Sequence, residues 1–317
     1  MRRSPLLITT GVLLATVSAV VAVRYMHTYE SPAAAGGSPA ATQSGDPGDE
    51  NAEGADPSEA PEVAPDPEQQ KRFEAAGELL KKAKGQIGIV VRDRKTGAEW
   101  RGGQTGQAIW AGSTIKLAMA ANLLERGRTA EIKLDTVARK QIADMLDVSS
   151  DTAADALWDK YGKDALVPSF QQQYGMTGLA FAGTGRRWSD LKCTTDDLGK
   201  LMSYVLDRGD PADRDYLIAA MRRVGANQRW GVWAAGDDKQ PGVKNGWALE
   251  VDDKAKHWVT NSVGFAGPEA QYVVAVTFDQ PAGAQLGTGV RTVSDLVATA
   301  LGAKVPAQVT VPQPAGR

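Results

Sequence analysis

The 317-residue sequence predicts an α+β fold: a five-stranded antiparallel sheet flanked by N- and C-terminal helices, with a helical lobe beside it. Three observations carry that expectation. Strand-like runs fall into two groups, two near the start of the globular part and three near its end. Within each group only short turns join them, which implies antiparallel pairing, because parallel neighbours need a crossover of a dozen residues or more. The stretch between the groups reads as helix, so the central helices form a second lobe and a cleft separates it from the sheet.

Glu68 to Lys84 sets Phe73, Ala76, Leu79, Leu80 and Ala83 on one helical stripe. Gln86 to Val91 is too short for a helix and rich in β-branched residues, so it reads as a strand. Lys95-Thr96-Gly97 turns the chain, and Ala98 to Arg101 returns as a second strand. Ile109 to Gly112 leads into a long apolar helix that opens at Ser113 and ends near Arg126-Gly127. Helix continues from about Leu134 to Lys160 with a break near Asp147 to Ser150, and again from Lys163 to Tyr174. Thr195 to Asp207 is capped by Thr194 or Thr195 and turns Leu198, Leu201 and Val205 inward. Pro211 to Val224 opens on a proline. The period then changes. Gly242 to Leu249, Trp258 to Phe265 and Tyr272 to Phe278 are strands, and Val290 to Leu301 is the terminal helix.

The ends are of a different kind. Arg2 and Arg3 precede an apolar run from Pro5 to Val23, with Arg24 after it. The run is just long enough to span a bilayer, and the arginines hold the N-terminus in the cytoplasm. It is either a retained single-pass anchor or a signal peptide cleaved after Val20-Val21-Ala22. Both readings export the remainder, to the outer side of a bacterial cell membrane or into the medium. No cysteine follows the run, which excludes a lipid-modified N-terminus. Residues 31–68 hold nine acids and no Lys or Arg among Pro, Ala, Gly and Ser, so they form a disordered tether. The domain proper is 69–303, and 304–317 is a polar tail expected to be flexible.

Residues 1–30 carry three arginines against one glutamate and the tether carries nine acids, so a chain total of −2 leaves +5 on residues 71–317. That balance suits anionic envelope polymers, and equally a plain solvated surface. No basic run with interleaved aromatics points to nucleic acid. Cys193 is the single cysteine and His257 the one histidine of the globular part, so neither a disulfide framework nor a zinc or iron site is expected, and no cofactor is implied. A monomer is expected.

The chemistry concentrates at Ser113-Thr114-Ile115-Lys116. The spacing puts a hydroxyl and an amine one turn apart on one helical face. A desolvated lysine can take a serine proton, and with histidine nearly absent a Ser-Lys mechanism is favoured over Ser-His-Asp. Ser-x-x-Lys alone arises by chance about once per few hundred residues. A second match, Ser189-Asp190-Leu191-Lys192, is read as the chance one. The first follows two strands, opens a helix and has further motif-like segments downstream.

Those segments carry a resemblance to the penicillin-binding protein and class A β-lactamase superfamily, whose boxes are S-x-x-K, S-D-N and K-T-G. The first box is intact. Ser149-Ser150-Asp151 is similar to the second and Lys244-Asn245-Gly246, on the first late strand, to the third. Thr194-Thr195-Asp196-Asp197-Leu198 resembles the start of the helix after the family's omega loop. The resemblance covers roughly 75 to 303 and implies a β-lactamase/transpeptidase-like fold.

It also implies roles. Ser113 attacks a carbonyl carbon, Lys116 serves as base if neutral, and Ser149 relays a proton to the leaving nitrogen. Lys244 holds a substrate carboxylate, Asn245 and Gly246 line the substrate, and the backbone N–H groups of Ser113 and Trp247 form the oxyanion hole. Asp151 puts a carboxylate where a substrate amide is usually bound. The segment Phe181 to Thr194 has no glutamate to activate a deacylating water, and Asp190 is its one acid. The expected substrate is therefore a D-alanyl peptide stem of peptidoglycan, with β-lactams as ligands and their hydrolysis less favoured. The altered boxes keep open a catalytically degenerate module that binds peptidoglycan or a partner protein. The purely structural alternatives are an N-cap for Ser113 or Ser149, a turn for Asn245-Gly246, and core or cleft wall for Trp230, Trp233, Trp247 and Trp258.

Overall fold

The computed structural model describes residues 66–252 and 255–313. The expected anchor or signal segment lies outside them, as do the tether up to residue 65 and residues 314–317. Among the described residues no helix is long and apolar enough to cross a membrane.

Helix α1 (Pro67–Lys82) starts at Asp66, whose carboxylate accepts from Glu68 N, with proline at the first helical position. Strands β1 (Gln86–Asp93) and β2 (Glu99–Gly103) pair antiparallel, with Val91 opposite Trp100. The chain makes a two-residue strand β3 (Ile109–Trp110) and a 3-10 turn (Gly112–Thr114), then enters α2 (Ile115–Arg128). Helices α3 (Thr136–Asp147), α4 (Asp151–Tyr161) and α5 (Val167–Gln173) complete the first part of the lobe. Short strands β4 (Ala180–Phe181) and β5 (Leu191–Cys193) precede α6 (Thr195–Asp207) and α7 (Pro211–Arg222). Then come β6 (Gly242–Asp252), β7 (Ala255–Ala266), β8 (Tyr272–Asp279) and α8 (Leu286–Ala300).

The main sheet has the order β2-β1-β8-β7-β6 and every pairing is antiparallel. The first strand group thus joins the last, as expected. Both faces are covered. Ile87, Ile89, Val91, Val274, Val276 and Phe278 pack with Ala76 of α1 and Val290, Val293 and Val297 of α8. Val263, Phe265, Val273 and Ala275 pack with α2, α6 and the rest of the lobe. Double coverage explains why β1 and β8 are apolar runs rather than alternating ones. Helix α2 runs through the centre of the lobe. From Ile115 to Leu124 every residue is buried, with Lys116 and Asn122 the polar members.

Three features differ from the expectation. Ile109–Trp110, Leu191–Cys193 and Ala180–Phe181 form a second, three-stranded sheet of order β3-β5-β4. Helix α8 begins at Leu286, four residues early. The tail from 304 is held rather than flexible up to residue 313. Ala307 N donates to Asp295 Oδ1 at 2.7 Å and Thr310 N to Arg229 O at 3.4 Å, while Val309 and Val311 pack on the α1–α8 core. Its apolar valines alternate, so one side of an extended segment is buried.

Candidate active site

The edge strand β6, the turn Gly112–Thr114 and the entry to α4 meet at one place. Asn261 of β7 holds the turn against the sheet by donating to Trp110 O at 2.8 Å and Ala111 O at 3.1 Å. Thr114 Oγ1 closes the turn on Ala111 O at 2.6 Å. Gly112 has φ +53°, a left-handed conformation glycine takes without strain. Gly246 passes so close that a methyl group on it would lie 2.7 Å from Ser113 N and 2.8 Å from Thr114 N. A Cβ on Gly112 would lie 3.5 Å from Trp247 N. The backbone N–H groups of Ser113 and Trp247 are therefore neighbours. Ser113 does not cap α2: the N-cap position is Thr114, and no side chain caps it.

Behind the turn two amines are buried together. Lys116 and Lys244 are both fully excluded from solvent. Lys116 Nζ donates to Ser149 O at 2.7 Å, to Asp151 Oδ1 at 2.6 Å and to Ser149 Oγ at 3.3 Å. Lys244 Nζ lies 3.0 Å from the same Ser149 Oγ, 2.7 Å from Asn245 O and 3.4 Å from Gln228 Oε1. Burial lowers the Lys116 pKa, against the opposing pull of the Asp151 and Asp155 carboxylates. Burial drives Lys244 well below its ordinary value, and the charge of Lys116 adds to that. The Asp151 side chain is 60% exposed, so the carboxylate that pairs with Lys116 also faces solvent.

Ser149 has φ +62°, an uncommon conformation for a residue with a Cβ. It turns both its carbonyl and its hydroxyl toward the amines. The helix-cap role belongs to its neighbour: Ser150 Oγ accepts from Ala153 N at 3.2 Å at the start of α4.

Trp188 covers Lys116. Its ring centroid lies 4.5 Å from Nζ, a cation–π distance. Asp155 of α4 fixes the ring by accepting from Trp188 Nε1 at 2.8 Å and from Arg187 at 2.7 Å. Asp190 turns away, accepting from Arg187 N at 2.9 Å within its own loop. The second Ser-x-x-Lys match is no site: Ser189 sits in a 3-10 turn and Lys192 on β5, with its amine over the Trp110 ring.

Asn245 corrects an expectation. Its side chain is fully buried and donates to Gln228 O at 2.7 Å and Trp230 O at 3.1 Å. It braces the segment before β6 instead of lining a substrate. Gln228, which sequence reasoning missed, accepts from Asn245 N at 2.9 Å and reaches Lys244. Asn261 and Trp188 were missed as well. Trp230 is fully buried and meets Trp247 edge-on at 6.2 Å, which makes it core.

Comparison with known proteins bears on the fold. Residues 71–140 match the Beta-lactamase enzyme family. A protein of Mycobacterium tuberculosis named "Putative lipoprotein LppW" is 29% identical over 205 residues, 62% of this chain and 64% of the relative. Its counterpart in Mycobacterium bovis matches equally, and the chain thus spans less than two thirds of these relatives' length. Among solved structures, an ancestral class A β-lactamase superposes with a TM-score of 0.59 at 17% identity, over 73% of this chain and 99% of that one. The structure of PBP-A superposes with a TM-score of 0.59 at 18% identity, over 73% and 95%. The chain thus has the fold of class A β-lactamases and PBP-A.

Proposed function

We propose that the protein is an exported serine acyl-transferase that forms an acyl-enzyme at Ser113, on D-alanyl stem peptides of the cell wall. The observation that carries this reading is the pair of buried amines, Lys116 of the Ser113-x-x-Lys116 box and Lys244 of β6, sharing the Ser149 hydroxyl. Burying two amines in contact with one hydroxyl is costly, and structure alone gives no reason for it. The Ser113 and Trp247 N–H groups receive the oxyanion, and preorganised donors of that kind are worth roughly 3–4 kcal/mol each. Asp190 is engaged by its own loop and Trp188 covers Lys116, which supports slow deacylation over β-lactam turnover. The Arg2-Arg3 apolar run and the relatives' name support a membrane-associated, extracytoplasmic place. The domain acts as a monomer.

One observation favours a second reading. The 2.6 Å ion pair between Lys116 and Asp151 ties up the amine of the Ser-x-x-Lys box, as a binding module for wall peptides or a partner protein could tolerate. Intact-protein mass spectrometry of the full chain after penicillin, beside Ser113→Ala, separates the two. A lasting adduct on the native protein alone is expected. No adduct and no loss of drug selects the binding module. Rapid loss of drug without an adduct overturns slow deacylation.

A further inference from the structure

The hydrogen bonds around the two buried amines assign their charges. A carbonyl or carboxylate oxygen only accepts, an ammonium only donates, and a neutral amine offers two protons and one lone pair. Lys116 Nζ faces Ser149 O and the Asp151 carboxylate, which only accept, and Ser149 Oγ, a hydroxyl that can accept or donate. The carboxylate at 2.6 Å is what favours an ammonium here. The Trp188 ring face beside it also favours a cation. Lys244 Nζ faces two acceptors, Asn245 O and Gln228 Oε1. The Gln228 amide orientation is fixed because its Oε1 also accepts from Asn245 N. The third neighbour of Lys244 is Ser149 Oγ. The single proton on that oxygen can go to one amine only, and the Asp151 carboxylate and the Trp188 ring hold Lys116 as the cation. It fits the lone pair of a neutral Lys244.

We propose that Lys244, not Lys116, is the proton-accepting amine of this site, working through Ser149, and that Lys116 is a fixed cation neutralised by Asp151. The charged groups facing Lys244 are Lys116 from α2 and Asp151 from α4; Asp155 of α4 acts on Lys116, and Gln228 does not titrate. Burial acts on both amines in the same direction, and the Asp151 carboxylate decides which one keeps the proton. The expected assignment, with Lys116 as base and Lys244 as anchor for a substrate carboxylate, is thereby exchanged. Lys244 has no free proton to offer a carboxylate here.

The role in catalysis rests on the acyl-transfer reading; the charge assignment does not. In acylation the Ser113 hydroxyl proton passes to Ser149 Oγ while the Ser149 proton passes to the Lys244 lone pair. The Ser113 oxygen then bonds the carbonyl carbon. On collapse Lys244 returns its proton through Ser149 to the leaving nitrogen as the C–N bond breaks. Lys116 keeps its charge throughout.

The test is NMR of the full chain labelled with 13C and 15N at lysine, since Cε and Nζ shifts separate amine from ammonium. At pH 7 one neutral amine is expected, absent in Lys244→Met and present in Lys116→Met. Loss of that signal in Lys116→Met instead, or no neutral amine at pH 7, overturns the assignment. Should Lys244→Met lose its fold, Asp151→Asn decides, because Asp151 is exposed: the ammonium titration moves to lower pH more than the neutral one. The reverse order overturns it. Penicillin labelling of the same sample reads the underlying function separately. A neutral Lys244 without a Ser113 adduct upholds the charges and overturns the relay.

Discussion

Gly246 shows how little room the site leaves at the scale of one residue. Its Cα passes beside the turn that carries Ser113, and any Cβ would press on Ser113 N, Thr114 N and, at 3.0 Å, Ala111 O. Backbone atoms cannot rotate away as a flexible side chain can. Gly246→Ala must push the turn off β6 and spread the Ser113 and Trp247 N–H groups. Acylation by a fluorescent penicillin is expected to slow by about 10²–10³-fold, the usual cost of losing one oxyanion donor. Circular dichroism should be native. A native labelling rate would mean that the two N–H groups do not act together. Asn261 works on the same turn from the other side. Its amide satisfies the two buried carbonyls of Trp110 and Ala111, and its own oxygen accepts from Phe278 N.

The element that most directly builds the site is the entry to α4, where two adjacent serines divide two jobs. Ser150 satisfies an orphan N–H of the first helical turn, and Ser149 satisfies the amines. Ser150→Ala should cost about 1 kcal/mol, the ordinary value of an N-cap, and lower Tm by roughly 2–4 °C in a domain of this size. Its labelling rate should stay near native. Ser149→Ala should reverse the pattern, with labelling lost by at least ~10²-fold while the α4 cap is intact. Differential scanning calorimetry and labelling on the same preparations would show it, and equal effects of both variants would refute the division.

Sequence alone could not have made that division. Both hydroxyls fit a cap before Thr152, and only the φ of +62° at Ser149 separates them. The main sheet was legible because its strands are runs of β-branched residues set off by turns. The three-stranded sheet was not, since strands of two or three residues carry no period. That Lys116 and Lys244 meet at Ser149 was legible from spacing and order. Gln228, Asn261 and Trp188 were not, because each acts through contacts with segments remote in sequence. The brace that Asn245 forms was not legible because burial, not residue type, decides what an amide can reach.

Across the whole molecule the buried amines leave a mark on stability. In the unfolded chain each binds a proton up to its ordinary value of 10.5, whereas folding lowers both. Between the folded and unfolded values the unfolded state holds more protons, so stability rises with pH there. Tyr174 acts oppositely: burial and the nearby Glu125 raise it, so above the ordinary tyrosine value of 10.0 the folded state holds more protons and stability falls. Urea unfolding followed from pH 7 to pH 10 should therefore show a rise that Lys244→Met flattens. An unchanged slope in that variant would remove Lys244 as its source.

The C-terminal segment ties this ledger to the site. It leaves α8, bonds Asp295 through Ala307 N, lays Val309 and Val311 on the α1–α8 core, and reaches Arg229 O through Thr310 N. Arg229 follows Gln228, the residue that contacts Lys244. A tail that only filled a surface groove would affect stability and nothing else. One that holds the Gln228 segment should affect chemistry too. Two half-buried valines contribute about 1 kcal/mol each, and the two hydrogen bonds add up to about as much again. Removing residues 306–317 should lower Tm by roughly 4–16 °C. At a temperature where the truncated protein is fully folded, its penicillin labelling should still be several-fold slower than native. Thr310→Pro separates the two effects, since it deletes one N–H and leaves both valines. If labelling by the truncated protein recovers fully once folding is matched, the tail is a stabilising strap with no hold on Lys244.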